Sequence, residues 1–101
     1  MSKGIMRITM VKKIKADGSP CRKCADVEKR LRDAGMMARI DDIVIADERD
    51  PDSAGMRLAR LHGVEMAPFF IVETNNGATQ IYTIYMQLLK EVLSQAGVGP
   101  G

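Results

Sequence analysis

Apolar residues along this chain follow two rhythms: dense or alternating runs that fit strands, and a three-to-four spacing that fits helices. Ile5, Met6, Ile8, Met10, Val11 and Ile14 form a near-continuous apolar run, the pattern of a strand covered on both faces. A first strand is expected over residues 4–13. Ala16-Asp17-Gly18-Ser19-Pro20 is turn chemistry, because a proline can neither continue a ladder nor leave the residue before it helical. From Cys21 to Ala34 the residues Cys24, Val27, Leu31 and Ala34 recur at helical spacing, with Glu28, Lys29, Arg30 and Arg32 mainly on the other face. Gly35 is the expected stop, and Val27 and Leu31 read as core. Residues 38–46 return to strand composition through Ile40, Ile43, Val44 and Ile45, and the interruption at Asp41-Asp42 predicts an edge or bulged strand.

The second half has the same clarity. Asp50 is a candidate N-cap and Pro51 a first helical position, opening a helix that should reach His62. Its expected stripe is Ala54, Leu58 and Leu61, ended by Gly63. His62, the single histidine, reads as a solvent-facing residue compatible with the negative end of the helix. Pro68 directly precedes the apolar run Phe69-Phe70-Ile71-Val72, a placement expected only at a strand's first residue, an edge or a bulge. Thr74-Asn75-Asn76-Gly77 predicts a hairpin connection to a strand over Thr79–Tyr82. From Ile84 onward Tyr85, Leu88, Leu89, Val92, Leu93 and Ala96 make the most regular helical stripe of the chain, with Thr83 as its candidate cap. No repeat or linker divides these elements, so residues 1–96 are expected to form one domain and 97–101 a frayed tail.

Composition narrows the function classes. The 101 residues are 46% hydrophobic and 28% charged, with a net charge of +2, an ordinary globular balance. No basic run exceeds Lys12-Lys13, and two Tyr, two Phe and no Trp leave little to stack on bases, so no nucleic-acid partner is expected. No apolar run approaches a membrane span, and Met1-Ser2-Lys3-Gly4 leads into a strand pattern instead of a signal-peptide core. A cytoplasmic monomer with no membrane partner is the expectation.

Both cysteines fall in Ser19-Pro20-Cys21-Arg22-Lys23-Cys24. With Cys21 at the first turn of a helix, free backbone N–H groups and the positive helix end favour its thiolate, the attacking species in disulfide exchange. Arg22 and Lys23 add two cations and should shift the couple toward a more oxidising potential. Cys24, one turn on and on the same side, can resolve a mixed disulfide formed at Cys21. A structural zinc would need two further ligands where the chain has one His and no other Cys. The expected cofactor set is therefore none beyond a redox-active Cys21–Cys24 disulfide.

Two segments, Pro20-Cys21-Arg22-Lys23-Cys24 and the run from Leu61 through Gly63-Val64 to Pro68 and Val72, resemble the thioredoxin and glutaredoxin superfamily, and the likeness extends from about Ile5 to Ala96. That resemblance implies a thioredoxin-like α/β fold ordered β-α-β-α-β-β-α: a four-stranded mixed sheet of order 2-1-3-4, flanked by three helices, with the Pro strand antiparallel to the first. It implies a thiol–disulfide oxidoreductase with Cys21 as nucleophile, Cys24 as resolving thiol and a cis Pro68 beside the sulfurs. Pro20, Arg22, Lys23, Met66 and Ala67 would meet the partner, a protein or small-molecule disulfide or thiol, and Ala67 would hold it by strand-like pairing. Thioredoxins usually carry Trp before the first cysteine and Gly-Pro between the two, where this chain has Pro20 and Arg22-Lys23. Glutaredoxins usually carry Pro-Tyr there and Gly-Gly after the hairpin; here the latter region reads Ile81-Tyr82-Thr83-Ile84-Tyr85, which leaves glutathione an open ligand. The cysteine loop is also similar to that of small heavy-metal transfer domains, with Ser19 in place of their Met. A metal or iron–sulfur module is therefore one alternative, and a redox-inactive adaptor docking through Met66, Ala67 and Phe69 is another.

Overall fold

The computed structural model describes residues 5–93. In chain order the elements are β1 (Ile5–Ile14), α1 (Arg22–Asp33), β2 (Asp42–Asp47), α2 (Ala54–His62), β3 (Phe69–Thr74), β4 (Thr79–Tyr82) and α3 (Tyr85–Leu88), the last continuing as a π-helical run over Leu89–Leu93. The strands form one sheet of order β2-β1-β3-β4. β1 runs parallel to β2 and antiparallel to β3, and β3 is antiparallel to β4. This is the mixed α/β arrangement expected from the sequence. Ala96 and the expected tail over 97–101 lie outside the described residues.

The dense apolar run of β1 serves two cores. Ile8 and Met10 join Phe70, Val72, Val27, Leu31, Leu88, Val92 and Leu93 on one face of the sheet. Val11 joins Phe69, Ile71 and Ala46 on the other, under Met56, Leu58 and Ala59 of α2. Strand side chains alternate between faces, so neighbouring Phe69 and Phe70 are both 1% exposed yet belong to different cores. Removing either ring would cost about 3–5 kcal/mol by the usual cavity arithmetic. β1 and β3 thus make the central pair, and because they run antiparallel with Val11 opposite Phe69, the exit of β1 toward the cysteines and the entry of β3 after Pro68 lie at the same end of it.

Four details differ from expectation. β2 starts at Asp42, not near 38, because Met37–Arg39 forms a 3-10 turn and the Asp41 carboxylate accepts the Ile8 N–H at 2.7 Å. The strand does lie at the sheet edge, as the two aspartates suggested. α2 starts at Ala54 instead of Pro51: Asp50 N–H donates to the Asp47 carbonyl at 2.9 Å and Ser53 N–H to that of Asp50 at 3.0 Å, which spends Asp50 and Pro51 on a turn. Ser53 is the N-cap, but its hydroxyl accepts the Asp47 N–H at 3.0 Å and so ties the helix start to the end of β2.

The inward face of α2 is also rotated from the expected stripe. Leu61 is 74% exposed and Ala54 is exposed, whereas Gly55 is buried. A Cβ on Gly55 would lie 2.3 Å from Ala46 N and 2.4 Å from the Ile45 carbonyl carbon, so the helix rests directly on the backbone of β2. Apolar counting cannot see such a contact, because glycine scores as neutral. Finally, α3 is capped by Ile84 and not by Thr83, and it widens from α to π geometry while keeping Leu88, Val92 and Leu93 buried. Gly35 and Gly63 follow their helices with φ of 71° and 65°, the left-handed stop expected of both. Among the described residues no helix is long and apolar enough to cross a membrane.

Candidate functional site

The cysteine pair is positioned by the turn that leaves β1. Gly18 takes φ of 85°, a conformation glycine adopts without steric cost. Asp17 Oδ1 accepts both the N–H of Ser19 at 2.9 Å and its hydroxyl at 2.6 Å. Pro20 forms an isolated bridge with Ile14. The chain therefore returns alongside its own strand, and Cys21 N–H donates to the Lys13 carbonyl at 3.2 Å.

Cys21 is the N-cap of α1, with φ −72° and ψ 122°, and its Sγ accepts the Cys24 N–H at 3.3 Å. A sulfur here takes the place an oxygen fills in ordinary N-caps. The first turn of α1 contains no acidic residue, so nothing in it opposes the positive helix end. Cys24 is 1% exposed, and its Sγ accepts the Lys13 N–H at 3.4 Å. One residue of β1 thus holds both cysteines: the Lys13 carbonyl takes the Cys21 amide, and the Lys13 amide meets the Cys24 sulfur.

The two thiols differ sharply in acidity. Burial pushes the Cys21 thiol up, but hydrogen bonds from the Cys24 side chain and from the Cys24 and Lys23 amides, together with the Lys13 charge, outweigh it and leave its pKa below the ordinary value of 9.0. Burial first, and then the Cys21 sulfur, push Cys24 up to about 12. Of the two, the half-exposed sulfur is the more acidic. The cation acting on it is Lys13, and Lys23 reaches it through its backbone N–H.

In the sequence Lys12-Lys13 counts only as a basic run too short to suggest a nucleic-acid partner. The structure makes them the charged rim of the cysteines. Lys12 Nζ lies 2.7 Å from Glu28 Oε1, and Lys13 Nζ lies 3.2 Å from Glu48 Oε2. Their position at the end of the strand that leads into the cysteine loop was the available signal. Pro20, Cys21, Cys24, Lys12, Glu28 and Ile45 line a depression of about 180 Å³ on the β2 side of α1.

A second depression, of about 300 Å³, lies on the other side of α1. Lys23 and Arg30 of α1 line it together with Met66, Pro68, Ile84 and Met86. The Ala67–Pro68 bond is cis. Pro68 is buried, Ala67 half-buried and Met66 51% exposed. Among the described residues the Ala67 N–H and C=O have no hydrogen-bond partner.

Of the residues singled out from the sequence, the structure gathers Pro20, Cys21 and Cys24 in one depression and Lys23, Met66 and Pro68 in the other. Arg22 is exposed, and neither it nor Ala67 lines either of these two. Phe69, expected to share a docking surface with Met66 and Ala67, is 1% exposed and belongs to the core beneath α2. The strand alternation that buries it leaves only Met66 and Ala67 for that surface. Among the described residues no three His, Cys, Asp or Glu side chains converge as a metal site would require. No known family profile, no curated protein and no solved structure matches this chain.

Proposed function

We propose that the protein is a thiol–disulfide oxidoreductase of the thioredoxin and glutaredoxin type, with Cys21 as nucleophile and Cys24 as resolving thiol. The observation that carries this reading is the asymmetry of the pair: a half-exposed, acidified sulfur capping a helix, backed by a buried thiol held protonated one turn away.

In the forward direction the Cys21 thiolate attacks one sulfur of a partner disulfide. A Cys21–partner disulfide forms, and the other partner sulfur leaves as a thiolate that takes up a proton. Cys24 then loses its proton and attacks Cys21 Sγ, closing the Cys21–Cys24 disulfide and expelling the second partner thiolate. Two electrons have passed to the partner, and a dithiol reductant restores the pair by the same steps in reverse. The acidity of Cys24 changes usefully along this path. Two of the influences raising its pKa come from the Cys21 sulfur, by hydrogen bond and by charge, and both disappear once Cys21 is tied up as a mixed disulfide. Resolution is therefore easier after the first step than the resting acidity suggests. The unpartnered backbone of Ala67, next to the cis proline, supports the family reading in which an extended partner chain pairs there.

The test uses a defined peptide disulfide and mass spectrometry. Cys24→Ser should accumulate a stable adduct on Cys21, the unsubstituted protein should turn the disulfide over, and Cys21→Ser should form no adduct. An adduct mapped to Cys24, or none with Cys24→Ser, would overturn the assignment.

A further inference from the structure

The larger depression has a chemical character of its own. Of the six large apolar side chains left exposed among the described residues, three line it: Met66, Ile84 and Met86. They come from two separate segments, the one before Pro68 and the one after β4. Two of the three are methionines, whose flexible thioethers adapt to varied apolar shapes. An exposed apolar cluster gathered in a concavity marks a contact site more strongly than scattered exposed residues do.

Its charges are unmatched as well. On α1, Lys29 pairs with Asp33 and Arg32 approaches Glu28. Lys23 and Arg30, at the depression, have no side-chain partner among the described residues. Asp26 also lines it, so two cations face one carboxylate there. Beside Met66 and Pro68 lies the unpartnered backbone of Ala67.

We propose that this depression selects the disulfide partner: an extended protein segment that carries a large apolar side chain and an acidic side chain next to its cysteine. The apolar group covers Met66, Ile84 and Met86, the acid meets Lys23 or Arg30, and the backbone pairs with Ala67. This rests on Cys21 being the nucleophile. Glutathione supplies carboxylates and a cysteine but no large apolar group, so it fits the cations and leaves the apolar cluster uncovered.

The experiment measures the rate at which reduced protein reacts with five disulfides: a short peptide with Leu and Glu flanking its cysteine, the same peptide with Leu→Ser, the same with Glu→Lys, glutathione disulfide, and the small uncharged 2-hydroxyethyl disulfide as reference. Relative to the reference, the Leu/Glu peptide should react fastest. Losing Leu should cost about tenfold and exchanging Glu for Lys about fivefold, with glutathione disulfide slower than the Leu/Glu peptide. Arg30→Glu, an exposed change, should reverse the order of the Glu and Lys peptides. A flat peptide series, an unchanged Glu/Lys ratio in Arg30→Glu, or glutathione disulfide as the fastest substrate would overturn this proposal while leaving the oxidoreductase reading standing. No reaction of Cys21 with the small reference disulfide would instead overturn both.

Discussion

The two sides of the first turn of α1 handle charge in opposite ways. Toward β2, each cation has a carboxylate: Lys12 with Glu28 and Lys13 with Glu48. That neutral, mostly apolar depression contains both cysteines. Toward the cis proline, Lys23 and Arg30 have no partner among the described residues and stand over exposed Met66, Ile84 and Met86. Charges matched within the chain tune a local group, whereas unmatched charges beside apolar surface remain available to another molecule. The difference separates acidity from recognition, although both meet at one helix terminus.

The largest expected effect comes from disturbing the support under the cysteine side. Gly55→Ala would place a methyl group against the backbone of Ile45 and Ala46 and force α2 away from β2, the strand whose Ile45 lines that depression. Overpacking of this kind should cost about 1–3 kcal/mol, read as a lower urea midpoint. The apolar side under Met66 and Met86 is built on other elements, so Gly55→Ala should leave the peptide selectivity ratio in place.

A smaller effect is expected at Lys13. Lys13→Met removes the cation acting on Cys21 while keeping the backbone contacts of residue 13 with both cysteines. The Cys21 pKa should rise toward its ordinary value of 9.0, which lowers the thiolate fraction at neutral pH by up to about tenfold per unit. Following the thiolate absorbance against pH checks this. The same substitution should not alter which peptide is preferred.

Much of this architecture was legible in the sequence, for reasons particular to each element. The cysteine site is local: four consecutive residues at a strand-to-helix turn are enough to propose a capped thiolate, and no long-range knowledge is needed. The strand order was expected only from the resemblance carried by the cysteine loop and the Pro68 segment; the residues themselves said no more than that the strand with Asp41-Asp42 at its entry lies at an edge. What escaped was nonlocal. Lys13 matters because its peptide and its charge meet sulfurs eight and eleven residues along the chain, and strand periodicity says nothing about a neighbouring helix end. The face of α2 was misjudged because its closest contact is made by a glycine, and its start because Asp50 and Pro51 suit a turn as well as a helix. The depression at Met66 joins α1 to two segments about twenty residues apart; the resemblance pointed to Lys23, Met66 and Pro68, but nothing local marked Arg30, Ile84 or Met86.

The asymmetry between the sulfurs is tested most directly by alkylating the reduced protein with iodoacetamide from about pH 5 to about pH 10 and mapping the modified cysteine by mass spectrometry. The expected result is modification of Cys21 alone, its rate rising with pH and levelling off below the ordinary thiol value of 9.0, while Cys24, with its pKa near 12, stays unmodified throughout. Equal modification of both cysteines, or a Cys21 rate still climbing at the top of that range, would contradict it.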